Sequence, residues 1–290
     1  MNLDAKSVGE LVQSIAAKGA RGRVRRVFRT SAYLETRGGL ILILRGTLRS
    51  PMTVNVVSGP HFIEELKIND RFELNSKELR LGGNRIRIDG AESFRSSLLK
   101  TKKVKPISGV EIVKAASSLK LLYSASEVSL DLVTGQAFNE FCDVVLRPLA
   151  AGRPEQAYRL PNYASLLGSG TGFTPAGDDF VAGFTAAFNF SARGIGKNPI
   201  LLPLAELRRR TVLESAFLLD YAQRGYVDEN LQRLILAGFD NEPLQFRAEI
   251  SELASRGHTS GLDMSLGVLV LLACARHGKT LESALEALGN

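Results

Sequence analysis

The sequence predicts an α+β chain: a small antiparallel β-sheet or barrel in residues 1–105, then a mostly α-helical domain in residues 106–290. Three observations lead there. From Arg21 to Ile88 apolar residues recur with period two; from Ser108 onward they recur at helical spacing. Residues 95–106, rich in Ser and Lys and closed by Pro106, read as a linker. The second half lacks the strand–helix alternation of a doubly wound sheet.

The elements follow in order. Val8, Leu11, Val12 and Ile15 give an amphipathic helix within Met1–Ala17. Strands are expected around Val24–Phe28, Tyr33–Leu34, Leu40–Leu44, Met52–Val57, Arg71–Leu74 and Arg85–Ile88. Gly38-Gly39, Ser58-Gly59-Pro60, Asn69-Asp70 and Gly82-Gly83-Asn84 mark the turns. Helices are expected over Val110–Tyr123, Ala137–Leu149, Ala176–Phe190, Leu204–Arg224, Glu229–Leu236, Leu244–Ser255, Ser260–Arg276 and Thr280–Leu288.

Composition narrows the function. Hydrophobic residues at 44% and charged residues at 23% describe a globular chain with ample core. Cys142 and Cys274 stand alone, and three histidines are scattered, so neither a disulfide framework nor a zinc site is expected. No signal peptide is visible, and the longest apolar run, Met264–Ala275, suits a buried helix rather than a membrane span. A cytoplasmic location is the expectation. The net charge of +7 is partly local. Arg21, Arg23, Arg25, Arg26 and Arg29 largely alternate with Gly22, Val24, Val27 and Phe28, as on an exposed strand edge. Nucleic acid is the weaker reading of that charge; attraction of anionic substrates or of an acidic partner subunit is another.

The chemistry concentrates in Gly168–Asp179, GSGTGFTPAGDD. Alternate glycines run into a Thr-Pro step, paired aspartates and an apolar helix. Thr174 fits an N-cap and Pro175 the first helical position. Such a helix start offers backbone N–H groups to a phosphate or carboxylate. Gly257-His258-Thr259-Ser260-Gly261-Leu262-Asp263 repeats Gly-x-Thr-x-x-x-Asp, and a glycine follows inside each apolar run, Gly183 and Gly267. Ser260 and Asp263 also have capping-box spacing. Both helix starts are expected to line one pocket, or else to be two ordinary capped helices. A weaker alternative, from Ala176-Gly177-Asp178-Asp179, is the anion hole of ribokinase-like sugar kinases with Asp178 as base; Pro175 and the missing α/β alternation stand against it.

The two motifs, their order and the segment between them resemble the family that includes a subunit of oxamate carbamoyltransferase from anaerobic allantoin and purine breakdown. The middle part of the resemblance is Thr211, Ser215, Ala222 and Gly225. Thr171, Phe173 and Ala176 depart from the residues common in that family. The resemblance implies a transferase subunit that binds a small anion of the oxamate or carbamoyl phosphate type, with partner subunits or as a homo-oligomer. It implies substrate contacts from Gly170, Gly172, Thr174, Gly177, Thr211, Ser215, Gly257, Thr259, Ser260 and Gly261. Asp178, His258 and Asp263 are the candidate catalytic residues, with His258 either supplying a proton or bonding loop backbone. Asp178 and Asp179 are candidate ligands of Mg2+; adjacent helical residues diverge by about 100°, and the match to Asp263 favours Asp178 as the functional one. The other reading is a non-catalytic structural or regulatory subunit.

Overall fold

The computed structural model describes residues 2–56, 62–96, 105–126, 131–153, 164–170, 172–191, 202–255 and 259–289. They form two compact units: Met1–Ser97 with Val227–Glu229, and Leu98–Tyr226 with Asn230–Asn290.

The first unit is a closed β-barrel. Its strands are β1 (Asn2–Gly9), β2 (Ala20–Val27), β3 (Ser31–Thr36), β4 (Gly39–Leu44), β5 (Thr53–Val56), β6 (Arg71–Leu74), β7 (Glu78–Leu81), β8 (Asn84–Arg87) and β9 (Glu92–Phe94). They follow the order β5-β4-β3-β2-β6-β7-β8-β1-β9, and β1 also pairs with β5, which closes eight strands into a ring. β9 continues the β8 edge along β1. The sheet is not purely antiparallel as expected: β4–β5, β1–β8 and β1–β9 run parallel. Inward-facing Val24, Leu34, Ile41, Ile43, Val54, Phe72, Leu79 and Ile86 fill the interior, because period-two strands place every second side chain inside. The amphipathic segment starts as strand β1; only Glu10–Lys18 is helical (α1), adding Val12 and Ala16 to the core. β2 is no edge. It pairs with β3 and β6, and its arginines lie on the outer face of the wall.

The second unit is helical among its described residues. It comprises α2 (Gly109–Ala125), α3 (Asp131–Thr134), α4 (Gln136–Phe141), a π turn (Cys142–Leu146), α5 (Arg147–Ala150), α6 (Ala176–Ser191), α7 (Leu204–Arg210), α8 (Leu213–Gln223), α9 (Glu229–Phe239), α10 (Pro243–Ala254), α11 (Ser260–Arg276) and α12 (Gly278–Gly289). α6 and α11 are apolar on nearly every face and buried along most of their lengths, the signature of central helices. Phe138 and Phe141 meet Phe180 and Phe184 edge-on at 5.3–5.5 Å beside them. The expected helix Leu204–Arg224 is broken: Thr211 is extended at φ −144° and ψ 178°, which separates α7 from α8. Cys142 and Cys274 are buried, and burial pushes the Cys142 thiol up to about 12 and that of Cys274 higher, so neither is a reactive thiol. No helix of the described residues is long and apolar enough to cross a membrane. No sugar-kinase-like sheet flanked by helices occurs among the described residues.

Candidate functional site

The crossing of α6 and α11 sets the register of everything above it. A Cβ on Gly183 would lie 2.1 Å from the Met264 carbonyl oxygen. A Cβ on Gly267 would lie 2.2 Å from the Phe180 carbonyl oxygen and 2.6 Å from the Phe184 nitrogen. The two backbones therefore touch through reciprocal glycines. Asp179 stands four residues before Gly183, and Asp263 four before Gly267. Residues four apart share a helix face, so the faces that meet at the glycines also turn Asp179 and Asp263 toward one another. The structure thus pairs Asp263 with Asp179, not with Asp178 as the motif alignment suggested. Pro175 is the reason. It adds one residue between Thr174 and the helix start that Thr259 and α11 lack, so each paired acid is the fourth residue of its helix.

Both acids are inside the protein, Asp179 at 0% and Asp263 at 2% exposure. Burial pushes the Asp179 carboxyl up to about 8; Ser260 and Thr174 pull it partly back, and nearby Asp263 and Asp178 add to the rise. Burial also raises Asp263, to about 6, against the hydroxyls of Tyr123 and Thr259. The Thr174 hydroxyl donates to Asp179 Oδ2 at 2.7 Å and lies 3.4 Å from the Ser260 Oγ, so the two helix starts meet at their hydroxyls. Among the described residues, Asp179 Oδ1 and Asp263 Oδ2 are buried with no hydrogen-bond partner. Burial thus favours the protonated form of Asp179, which lies beneath a half-buried hydroxyl rim of Thr174, Thr259 and Ser260.

Tyr123 completes this group, and the sequence reading missed it. Its hydroxyl donates to Asp263 Oδ1 at 2.7 Å from α2, 140 residues away. In the sequence Tyr123 reads as one more apolar residue of a helix with Ile112, Ala116 and Leu119. The available signal was the polar tip itself, since a buried tyrosine hydroxyl needs a partner. Burial, followed by the Asp263 and Asp179 charges, holds this phenol well above its usual range, so it stays a donor. Tyr123→Phe is expected to cost about 1–3 kcal/mol, because it orphans a buried carboxylate oxygen. It should also raise Asp263 above 6. Denaturant unfolding at several pH values checks both, and an unchanged pH profile contradicts the contact.

Asp178 does different work. Its Oδ1 accepts from the Gly168 N–H at 2.8 Å, and its Oδ2 accepts a short hydrogen bond from the Thr211 hydroxyl. The break after α7 is what turns Thr211 toward it. Burial raises the Asp178 carboxyl, offset by Thr211, Gly168 and Ser215. Ser215 is buried nearby, yet among the described residues its Oγ makes no well-aligned hydrogen bond. Asp178 therefore ties the glycine loop to the Thr211 corner. Gly168 and Gly170 adopt φ of +76° and +97°, and a Cβ on Gly168 would meet the Arg210 carbonyl at 2.6 Å, so only glycine fits this turn.

The caps differ from expectation. α6 starts at Ala176, and the Pro175 carbonyl accepts from the N–H groups of Asp178 and Asp179 at 3.0 and 3.2 Å. The Thr174 side chain reaches Asp179 instead of capping. Thr259 caps α11 without a side-chain bond, so Ser260 and Asp263 form no capping box. Gly177 donates to the Ser169 carbonyl at 3.0 Å, and its missing Cβ admits the Leu166 carbonyl; the missing Cβ of Gly261 admits that of Leu253. Gly168, Gly177, Asp178 and Asp179 thus spend their amides inside the protein, and Gly177 and Gly261 serve close packing. Gly170 and Gly172 are exposed on the loop beside the rim. Gly257 and His258 lie outside the described residues.

Asp178 and Asp179 are the candidate Mg2+ ligands. The two carboxylates face different partners, Gly168 and Thr211 against Thr174. Among the described residues no group of three or more His, Cys, Asp or Glu side chains is placed to hold a metal ion.

Comparison with known proteins falls on this site. No curated protein and no solved structure matches the chain. Residues 166–272, which run from the glycine loop through both helix starts and their crossing, match the family described as oxamate carbamoyltransferase subunit AllH, which supports the family resemblance over that stretch.

Proposed function

We propose that this chain is a subunit of a carbamoyltransferase that takes a small anion of the oxamate or carbamoyl phosphate type, working with partner subunits. One coincidence carries the reading: the stretch that matches the AllH family, residues 166–272, is the stretch whose two helix starts meet at Thr174 and Ser260. An oxamate carbamoyltransferase joins the carbamoyl carbon of carbamoyl phosphate to the oxamate nitrogen while the bond from that carbon to the phosphate oxygen breaks and phosphate leaves, or runs the same exchange in reverse. Charge then develops on the carbonyl oxygen, and a proton must be given to or taken from nitrogen. Thr174, Thr259 and Ser260 would bind and orient the anion at the rim, with Gly170 and Gly172 contributing loop backbone. Asp179, neutral at pH 7 and backed by Asp263 and Tyr123, would hold the proton. His258 would polarise the carbonyl. Asp178, with Thr211 and Ser215, would position the loop rather than touch the reacting atoms.

Thermal shift of the full chain with oxamate, carbamoyl phosphate, oxalate or inorganic phosphate tests this reading. Ligand that binds only the folded state raises the melting temperature, by about 2.7 kcal/mol of stabilisation at one hundred times Kd. Thr174→Val combined with Ser260→Ala should abolish that rise; the unliganded melt falls as well, because buried Asp179 loses its hydroxyl donor, so the ligand shift is read against the variant's own baseline. Absence of any response, together with stabilisation by a partner protein, supports the second reading, a structural or regulatory subunit. The internally spent amides of Gly177, Asp178 and Asp179 are the observation that favours it.

A further inference from the structure

The outer wall of the barrel carries an arrangement that the helical site does not explain. Residues 1–97 contain 17 Lys and Arg against 10 Asp and Glu, so the whole net charge of +7 belongs to this part of the chain. The excess is not evenly spread. In the strand register Arg23 lies directly opposite Arg71, and Arg80 directly opposite Arg85. Like charges at directly opposed positions destabilise a sheet. Three of these four arginines, Arg71, Arg80 and Arg85, line an open hollow of about 420 Å3 on β6, β7 and β8, closed at one end by the Gly82-Gly83 turn. That volume is within the range of small-ligand sites.

The guanidinium groups are held rather than neutralised. A single carboxylate, Glu78, takes Arg80 Nε on one oxygen at 2.5 Å and Arg85 Nε on the other at 3.0 Å. One negative charge thus buttresses two positive ones, and the terminal Nη donors of both are left for another acceptor. Arg71 forms no ion pair among the described residues. Glu73, the one acid in the lining, lies opposite Arg80 on its other side, and its carboxylate is engaged by Arg21 at 2.8 Å. Planar donors fixed by a carboxylate behind them are suited to a tetrahedral or planar oxyanion in front.

We propose that this hollow is an anion-binding site, separate from the helical site, that takes a phosphate or carboxylate group through Arg71, Arg80 and Arg85. The group comes either from a free small anion or from an acidic side chain on a partner protein. The proposal does not rest on the carbamoyltransferase reading. Titration calorimetry of the full chain with inorganic phosphate tests it, using wild type, Arg71→Gln/Arg85→Gln and Thr174→Val/Ser260→Ala. These arginines are exposed and set against like charges, so their loss should leave the melting temperature in place or raise it. Saturable binding is expected that survives the threonine–serine variant and weakens about tenfold or more in the arginine variant, the worth of a charged hydrogen bond or two. A Glu-rich peptide that displaces phosphate assigns the group to a protein surface; failure to displace assigns it to a free anion. Phosphate binding equal in wild type and the arginine variant, or no saturable binding in wild type, overturns the site.

Discussion

Gly267→Ala is expected to destabilise the helical unit by about 2 kcal/mol or more, against the sign that helix propensity gives. In an open helix alanine is favoured over glycine by about 1 kcal/mol. Here the new methyl would sit 2.2 Å from the Phe180 carbonyl oxygen, which is backbone and cannot swing aside. Overpacking of this kind costs about 1–3 kcal/mol and sometimes more, since two whole helices have to separate. Gly183→Ala should do the same against Met264. Because both methyls push the same two helices apart, the double variant should lose less than the sum. Gly278→Ala, where nothing lies within 4 Å, is the control and should be neutral or mildly stabilising. Chemical unfolding followed by far-ultraviolet circular dichroism gives the comparison. Stability equal to wild type in Gly267→Ala would mean that the helices do not cross through these glycines.

The second large effect concerns pH. An unfolded aspartate titrates near 3.9, whereas burial in the folded chain pushes Asp179 up to about 8 and Asp263 up to about 6. Between those limits the unfolded chain has released protons that the native chain still holds. Stability therefore falls as pH rises, the reverse of a salt-bridged carboxylate. Asp263 contributes its share of the fall up to about pH 6, Asp179 up to about pH 8, and above that both contributions level off. Asp179→Asn keeps an acceptor for the Thr174 hydroxyl and removes the titration. It should match wild type near pH 4 and exceed it at pH 8–9, by more than the roughly 1.4 kcal/mol that one unit of displacement represents. Parallel stability curves for the two proteins would show that Asp179 is ionised in the native state.

How much of this was legible beforehand differs by level. Period-two and helical hydrophobic spacing, read residue by residue, separated a β-rich front from a helical back, because burial of alternate or every-fourth side chains is a local constraint on the chain. The same local reading found the two helix starts, since glycine, threonine and proline fix backbone conformation within a few residues. It also noted Gly183 and Gly267, without a reading of what they do. Counting from Thr174 and Thr259 paired Asp263 with Asp178, whereas counting from the crossing glycines selects Asp179. That choice belongs to the contact between two helices, where backbone meets backbone and sets the register of all that lies above. Ring closure of the barrel through β1 and β5, the break that delivers Thr211 to Asp178, and the arrival of Tyr123 beneath Asp263 are likewise long-range facts. A sequence states which groups are acidic, small or apolar. Only packing decides which of them lose their water and face one another, and here that step converts two ordinary aspartates into a proton-holding pair.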